Sequence, residues 1–196
     1  MSCNTFNFFS SYITETKDKM EELNDNIINL CKKGDRKAQT HLYTAFYKKI
    51  YNSCFRILQN QCEAEDAMQE SFIKAFSRIT QYEKETPFEA WILRIAINTA
   101  IDKLRENKPE WVNYDEKHFH YLEEEDESEE WELTLEKTKQ IKAAIEQLPD
   151  AARVIISLYL IEGYDHEEIS EILHISSGNV RIQYMRAKQK VIELLK

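Results

Sequence analysis

The chain has 196 residues, which allow one mid-sized domain or two small ones, and it carries a formal net charge of −9. Only 3 glycines and 3 prolines interrupt it, so turns are few and an all-α fold is expected rather than a sheet protein. No apolar run approaches the roughly 18 residues that cross a bilayer, and no secretory leader is recognisable, so we expect a soluble cytoplasmic protein without direct membrane insertion.

Two predicted helices come first, and a glycine separates them. The first covers about 20–33 and ends at Gly34, because glycine accepts the left-handed backbone that closes a helix. Asp35 follows, and its side chain can cap a long second helix over 36–60. The pattern of this part of the chain is helical throughout.

A third predicted helix begins at Asn60 and runs to about Tyr82. Asn60 and Glu63 stand at the spacing of a capping box. Apolar and small residues then recur at three- and four-residue steps and predict a buried stripe: Ala64, Ala67, Met68, Ser71, Phe72, Ala75, Phe76 and Ile79. Asp66, Gln69 and Glu70 lie off this stripe, and without further information such an outward polar face indicates solvated surface.

The fourth predicted helix has the clearest start signal in the chain. Thr86 is a cap residue, Pro87 takes the first helical position, and Glu89 is an acid three residues after the cap. A strip at three- and four-residue steps then follows, formed by Trp91, Ile95, Asn98, Asp102 and Arg105. The strip is aromatic at its start and polar after that. A tryptophan at such a position more often belongs to the core than to a contact with another molecule.

Residues 107–136 form a strongly acidic segment, with 12 of the 35 acidic residues and 2 of the 26 basic ones, a net charge of −10. Such a segment buries little apolar surface and repels itself, which predicts an extended linker between two folded parts. Its aromatic residues are Trp111, Tyr114, Phe119, Tyr121 and Trp131. The linker is therefore either a solvated tether or a mimic of nucleic acid, since acids with aromatic rings suit a cationic, stacking channel.

The residues after the linker predict a helix-turn-helix. Pro149 opens a helix that closes at Gly163, and Asp165 with Glu168 forms a second capping box. A short helix then turns into a last helix that Ser176 caps.

The last predicted helix separates an apolar face from a basic one. Its apolar face comprises Val180, Tyr184, Ala187, Val191 and Leu194. Its exposed polar residues are Asn179, Arg181, Gln183, Arg186, Lys188 and Lys190. A recognition helix of this kind enters the major groove, where Arg pairs with guanine and Gln with adenine while later basic residues meet phosphates.

Three motifs in this order resemble the extracytoplasmic function sigma factors, members of the sigma-70 family of bacterial RNA polymerase. "AEDAMQESFIKAF" resembles the polymerase-binding helix, "FEAWILRIAINTAIDKLR" the promoter-melting helix, and "LPDAARVIISLYLIEG" with "VRIQYMRAK" the upstream-element reader. The resemblance implies two small helical domains joined by the acidic linker. Residues 1–106 would form region 2, residues 107–136 the linker, and residues 137–196 the region 4 helix-turn-helix.

The resemblance also implies three sets of contact residues. Those for the polymerase are Asp66, Gln69 and Glu70. Those for the minus-10 element are Tyr82 and Lys84 in the loop 79–86, which captures a flipped-out base, and Arg94, Asn98 and Arg105 along the melted strand. Those for the minus-35 element are Ser177, Asn179, Arg181, Gln183, Arg186 and Lys188.

Three positions depart from the family pattern. His174 stands where a glycine usually makes the turn, and we expect the turn to survive because histidine tolerates positive φ better than most residues. Asn179 replaces a common threonine, and Ile182 an otherwise small polar residue, so the promoter sequence stays open.

The resemblance implies core RNA polymerase and promoter DNA as partners, with a separate anti-sigma factor, often membrane-bound in this family, as regulator. No catalytic residue, metal or cofactor is expected: the four cysteines lack CxxC spacing, "HEEIS" lacks the second histidine of a zinc protease motif, and His118, His120 and Glu123 are only a loose cluster. The alternative is a helix-turn-helix regulator that is not a polymerase subunit. It would need dimer symmetry and an effector domain, and would leave residues 35–106 unexplained.

Overall fold

The computed structural model describes residues 26–107 and 135–195. Within these ranges every regular secondary-structure element is a helix. The helices are α1 (26–32), α2 (Arg36–Leu58), α3 (Gln61–Ser77), α4 (Phe88–Asn107), α5 (Leu135–Glu146), α6 (Asp150–Leu160), α7 (His166–Leu173) and α8 (Ser177–Leu195), with a short 3-10 turn at Ile79–Gln81. The predicted all-α fold class is confirmed. Most of the acidic linker lies outside the described residues.

Side-chain caps fix the helix starts that the sequence predicts. Asp35 accepts a hydrogen bond from the Ala38 amide at 2.8 Å, and Asn60 accepts one from the Glu63 amide at 3.2 Å. Asp165 and Glu168 form the complete capping box of α7. Ser176 accepts from the Asn179 amide at 3.3 Å at the start of α8.

Some predicted boundaries shift. Of the first predicted helix, residues 20–25 lie outside the described residues. The third helix ends at Ser77 rather than near Tyr82, because Arg78 leaves the helical conformation and the 3-10 turn follows. The fourth begins at Phe88, one residue after Pro87. The helix that follows Pro149 ends at Leu160, before Gly163.

Helices α2, α3 and α4 pack against one another in the first helical unit. The predicted stripe of α3 is buried between them, apart from the half-buried Phe76. On its outward side, α3 keeps its polar residues in solvent. The packing therefore leaves a polar face of α3 in solvent, whereas the polar face of α4 lines a cleft that it shares with α7.

Helices α5 to α8 form the second unit, in which α8 packs on α5, α6 and α7. Its own small core consists of Ala144, Ile145, Leu148, Ile156, Ala187 and Val191. Leu194, predicted on the apolar face, is instead 41% exposed at the end of α8. Among the described helices, none combines the length and apolar character that a membrane span requires.

Candidate nucleic-acid interface

The outward face of α3 is polar and partly engaged within the chain. Asp66 and Gln69 are exposed, as predicted for contact residues. Glu70 is only half-exposed because its two carboxylate oxygens pair with Lys74 at 2.8 Å and with Lys103 of α4 at 3.2 Å. Hydrogen bonding from Lys74 lowers the pKa of Glu70. Glu70, itself one of the predicted polymerase contacts, therefore also ties α3 to α4.

An apolar residue that the sequence reasoning passed over belongs to the same face. Ile73 lies one turn after Gln69, and it is 69% exposed. An isolated exposed isoleucine is common, but one beside two exposed polar groups is suited to the centre of a protein interface. Its position off the buried stripe in "SFIKAF" was the available signal.

The loop between α3 and α4 buries the tyrosine that was predicted to meet DNA. Tyr82 is 5% exposed, and its hydroxyl donates to the Thr86 carbonyl at 2.6 Å. Its ring packs against Phe88 and Trp91, with centroids 5.5 and 5.3 Å away. Tyr82, which the resemblance makes a DNA contact, is therefore buried in the structure, where its hydroxyl and ring shape the loop. Lys84 is exposed at the loop tip, where its φ is 56°.

The predicted strand-binding residues of α4 share one face of the helix. Arg94 and Asn98 are exposed and Arg105 is half-buried. All three line a cleft of about 280 Å³, which α7 closes on the other side. Arg105 lies 3.6 Å from Asp102 on its own helix, and its Nη2 atom donates to the Leu173 carbonyl of α7 at 2.9 Å.

The helix-turn-helix has the predicted geometry at its turn. His174 adopts φ 53° and ends α7, in agreement with the expectation that a histidine can replace the usual glycine. Arg181, Arg186 and Lys188 are exposed, whereas Ser177, Asn179 and Gln183 are half-buried.

Two of the half-buried residues hold each other in place. Gln183 donates through Nε2 to the Asn179 Oδ1 atom at 2.7 Å, which fixes both amides one turn apart. No acidic residue stands in the first turn of α8, so the positive end of the helix dipole and Arg181 present a cationic surface. This arrangement suits an anionic groove.

Arg153 is the buried charged residue that sequence analysis missed. It is 5% exposed, and it donates to the carbonyls of Arg56 and Ile57, each at 3.2 Å, at the end of α2. Arg56 in turn pairs with Glu162, which follows α6. A single arginine inside the apolar run "RVIISLYL" was the signal that it could be buried and paired.

Two family models match the chain in the order of its helices. The model described as "Sigma-70 region 2" matches residues 42–110, and the model described as "Sigma-70, region 4" matches residues 138–191. The first therefore covers α3 and α4 entirely, and the second covers α6, α7 and most of α8.

Similar proteins and structures carry the same descriptions. The ECF RNA polymerase sigma factor SigW of Bacillus subtilis (strain 168) is 32% identical over 194 residues, covering 90% of this chain and 99% of its own. The RNA polymerase sigma-H factor of Pseudomonas aeruginosa is 28% identical, covering 89% and 95%. A solved complex of the sigma factor RpoE with the anti-sigma factor NepR from Bartonella quintana has a TM-score of 0.53 at 20% identity, covering 80% and 95%, and shares the fold.

Proposed function

This chain belongs to the extracytoplasmic function sigma factors of the sigma-70 family and is a transcription initiation factor, and we propose that it joins core RNA polymerase through α3 and places α4 and α8 on promoter DNA. The observation that carries the proposal is the presence, in one chain and in family order, of three polar helix faces, on α3, α4 and α8. In this proposal residues 1–106 act as region 2 and residues 137–196 as region 4.

The polymerase contact is proposed for Asp66, Gln69 and Ile73 of α3, with Glu70 at the edge. Asp66 and Gln69 are exposed without belonging to the core, so they are available to a partner. Ile73 adds an apolar centre of the kind that contributes most of the affinity when a partner covers it. Glu70 contributes mainly by holding Lys74 and Lys103 in place beside this face.

The minus-10 contact is proposed for Lys84 and for the α4 face of Arg94, Asn98 and Arg105. Two guanidiniums and an amide along one helix suit the phosphates and base edges of a single strand. Tyr82 shapes the loop that would hold an extruded base, because its hydroxyl and ring fix the residues up to Thr86. A pocket that holds the extruded base compensates for the stacking that the base loses. This explains how a binding protein promotes melting without hydrolysing a nucleotide.

The minus-35 contact is proposed for the first half of α8. Arg181 is the candidate for guanine recognition, whereas Gln183 and Asn179 act as a hydrogen-bonded pair that reads one base step. Ser177 lies in the first turn of α8. Arg186 and Lys188 follow on the exposed side of α8, where they would contact phosphates.

The proposal includes a protein regulator and assigns no catalytic step to this chain. The chain acts in the cytoplasm as a subunit of the polymerase, which performs the catalysis, and it needs no cofactor. We infer that an anti-sigma factor covers one or both units when transcription is off. The solved RpoE–NepR complex supports this inference at the level of fold.

Transcription by reconstituted polymerase tests the proposal. Purified bacterial core polymerase, with and without this protein, would transcribe a library of fragments from the source genome, and sequencing would map the 5′ ends. We expect defined start sites with a shared upstream element only in the presence of the protein. Repression of transcription, or no start sites beyond those of core polymerase, would favour the helix-turn-helix regulator instead.

A further inference from the structure

Lys32, the last residue of α1, contacts the loop 79–86 that joins α3 to α4. Its Nζ atom donates to the Tyr82 carbonyl at 2.7 Å, although the two residues stand 50 positions apart in the sequence. The same ammonium lies 5.8 Å from the centroid of the Tyr82 ring, within the range of a cation–π contact. One side chain of α1 therefore holds, by two interactions, the residue that shapes the loop.

The backbone that carries Lys32 is itself anchored on both sides. Ile28 and Cys31 of α1 are each 2% exposed in the core of the first helical unit. Gly34, at φ 82°, closes the helix, and its amide donates to the Cys31 carbonyl at 2.9 Å. Asp35 then caps α2 through the Ala38 amide. The Lys32 side chain thus extends towards the loop from a fixed corner between two helices.

The loop tip after Tyr82 is exposed and contains a strained residue. Residues 83–86 are exposed, and Lys84 has a left-handed backbone with φ 56°. Outside glycine such a backbone persists where neighbouring interactions hold it. Tyr82 contributes on both sides of the tip, because its hydroxyl donates to the Thr86 carbonyl at 2.6 Å and its own carbonyl belongs to the peptide that leads into the tip. The bond from Lys32 therefore fixes the direction in which the chain leaves Tyr82.

We propose that Lys32 is a positioning residue for the minus-10 element, and that it holds the Tyr82 peptide so that the loop tip is ordered before an extruded base arrives. A loop that is already ordered loses less conformational entropy on binding, so it binds the correct base more tightly. The inference rests on the proposed function, which assigns this loop to the minus-10 element. Lys32 precedes residue 42, where the match to "Sigma-70 region 2" begins.

Amide hydrogen exchange of the free full-length chain tests whether Lys32 orders the loop. Lys32→Met keeps an unbranched side chain of similar length but removes the donor and the charge. The 3-10 turn offers two hydrogen-bonded amides as reporters, those of Gln81 and Tyr82, which donate to the Arg78 and Ile79 carbonyls. Loss of one hydrogen bond should speed exchange in peptides from the loop by about three- to ten-fold.

Two matched variants and one internal comparison separate positioning from a general effect on the fold. Lys32→Arg retains a cationic donor and should exchange as the unaltered chain does. Lys33→Met removes an equal charge from the exposed neighbouring position and should also leave the loop unchanged. Peptides from α2 and α4 should exchange at the same rate in all variants, because a positioning role is confined to the loop.

Base discrimination by the complex with core RNA polymerase tests the link to the minus-10 element. The probes are fluorescein-labelled single strands that span the melted region of a start site mapped in the transcription experiment, together with strands that carry one changed base. The preference for the mapped strand is a ratio of two affinities, so a smaller folded fraction does not alter it. Lys32→Met should reduce this preference by about three- to ten-fold, whereas Lys32→Arg and Lys33→Met should retain it.

The outcomes distinguish failure of this inference from failure of the proposed function. Unchanged exchange in the loop of Lys32→Met, or faster exchange throughout the first unit, would overturn the positioning role. A full base preference in the Lys32→Met complex would overturn its link to the minus-10 element and leave the proposed function intact. Absence of any base preference in the unaltered complex would instead contradict the proposed minus-10 contact, and the inference with it.

Discussion

Arg181 lies on the exposed side of α8, in its second turn and close to the positive end of the helix dipole. Arg186 follows more than one turn later on the same helix. The two arginines have the same chemistry, but the proposal gives Arg181 a base contact and Arg186 a phosphate contact, so exchange for alanine should separate base reading from phosphate attraction.

Arg181→Ala should reduce binding to the upstream element by roughly 1 to 3 kcal/mol and relax the preference at one position, as expected for a bidentate base contact. Arg186→Ala should weaken binding to all sequences alike and lower the salt slope by about one. Selection of bound sequences from a randomised upstream element, with the polymerase complex, measures both. An unchanged preference in Arg181→Ala would remove Arg181 from the reading residues.

His166 makes the stability of the second unit depend on pH. Its ring packs against Tyr159 and Tyr184, and its Nε2 atom has no hydrogen-bond partner among the described residues. Burial, and then the charge of Arg181, lowers the pKa of His166 in the folded chain. The unfolded chain therefore takes up the proton first as the pH falls.

We expect the free energy of unfolding to fall as the pH drops below the ordinary histidine value of about 6.5, because protonation then favours the unfolded state. His166→Phe should flatten this part of the pH profile in thermal melts. His174→Asn, an exposed change at a position whose left-handed backbone asparagine also accepts, should retain it. An identical decline in His166→Phe and the unaltered protein would contradict this role.

Residue roles were predictable where local geometry decides them. The turn at His174 and the cap at Ser176 depend on neighbours in the chain, so the sequence was sufficient. The family resemblance of the loop placed Tyr82 in a DNA contact, and only the packing of Phe88 and Trp91 against its ring shows that it is buried. Local pattern contains no information about which distant ring will cover it.

At the scale of elements, α3 shows both the strength and the limit of periodicity. Its buried stripe follows from three- and four-residue spacing, and its cap at Asn60 from residue type. Its end at Ser77 did not follow, because a 3-10 turn continues nearly the same spacing as an α-helix. The pairing of Glu70 with Lys103 could not be predicted, since it depends on how α4 packs.

Ile73→Ser tests the apolar part of the α3 face. Because the side chain is 69% exposed, the variant should unfold at nearly the same temperature as the unaltered chain. Polymerase affinity should fall by about ten-fold or more, as expected when the burial of a large apolar side chain at an interface is lost. Titration of labelled protein with core polymerase measures the change. Normal affinity would exclude Ile73 from the interface.

At the scale of the whole molecule, the order of elements and the two-unit plan were predictable, but the contact between the units was not. The contact depends on Arg153 reaching the carbonyls at the end of α2, about a hundred residues away in sequence. Most of the acidic linker, with its alternatives of a tether and a nucleic-acid mimic, lies outside the described residues. Its negative net charge is known from the composition alone.

The central claim is that this chain is a polymerase subunit held by the α3 face, and co-elution with purified core RNA polymerase in size-exclusion chromatography tests it most directly. The unaltered protein should co-elute. Asp66→Lys should not, because one broken interfacial charge pair costs about 2 to 5 kcal/mol, whereas Glu106→Lys, an equal charge change at the exposed end of α4, should co-elute normally. Failure of the unaltered protein to co-elute, or normal co-elution of Asp66→Lys, would contradict the claim.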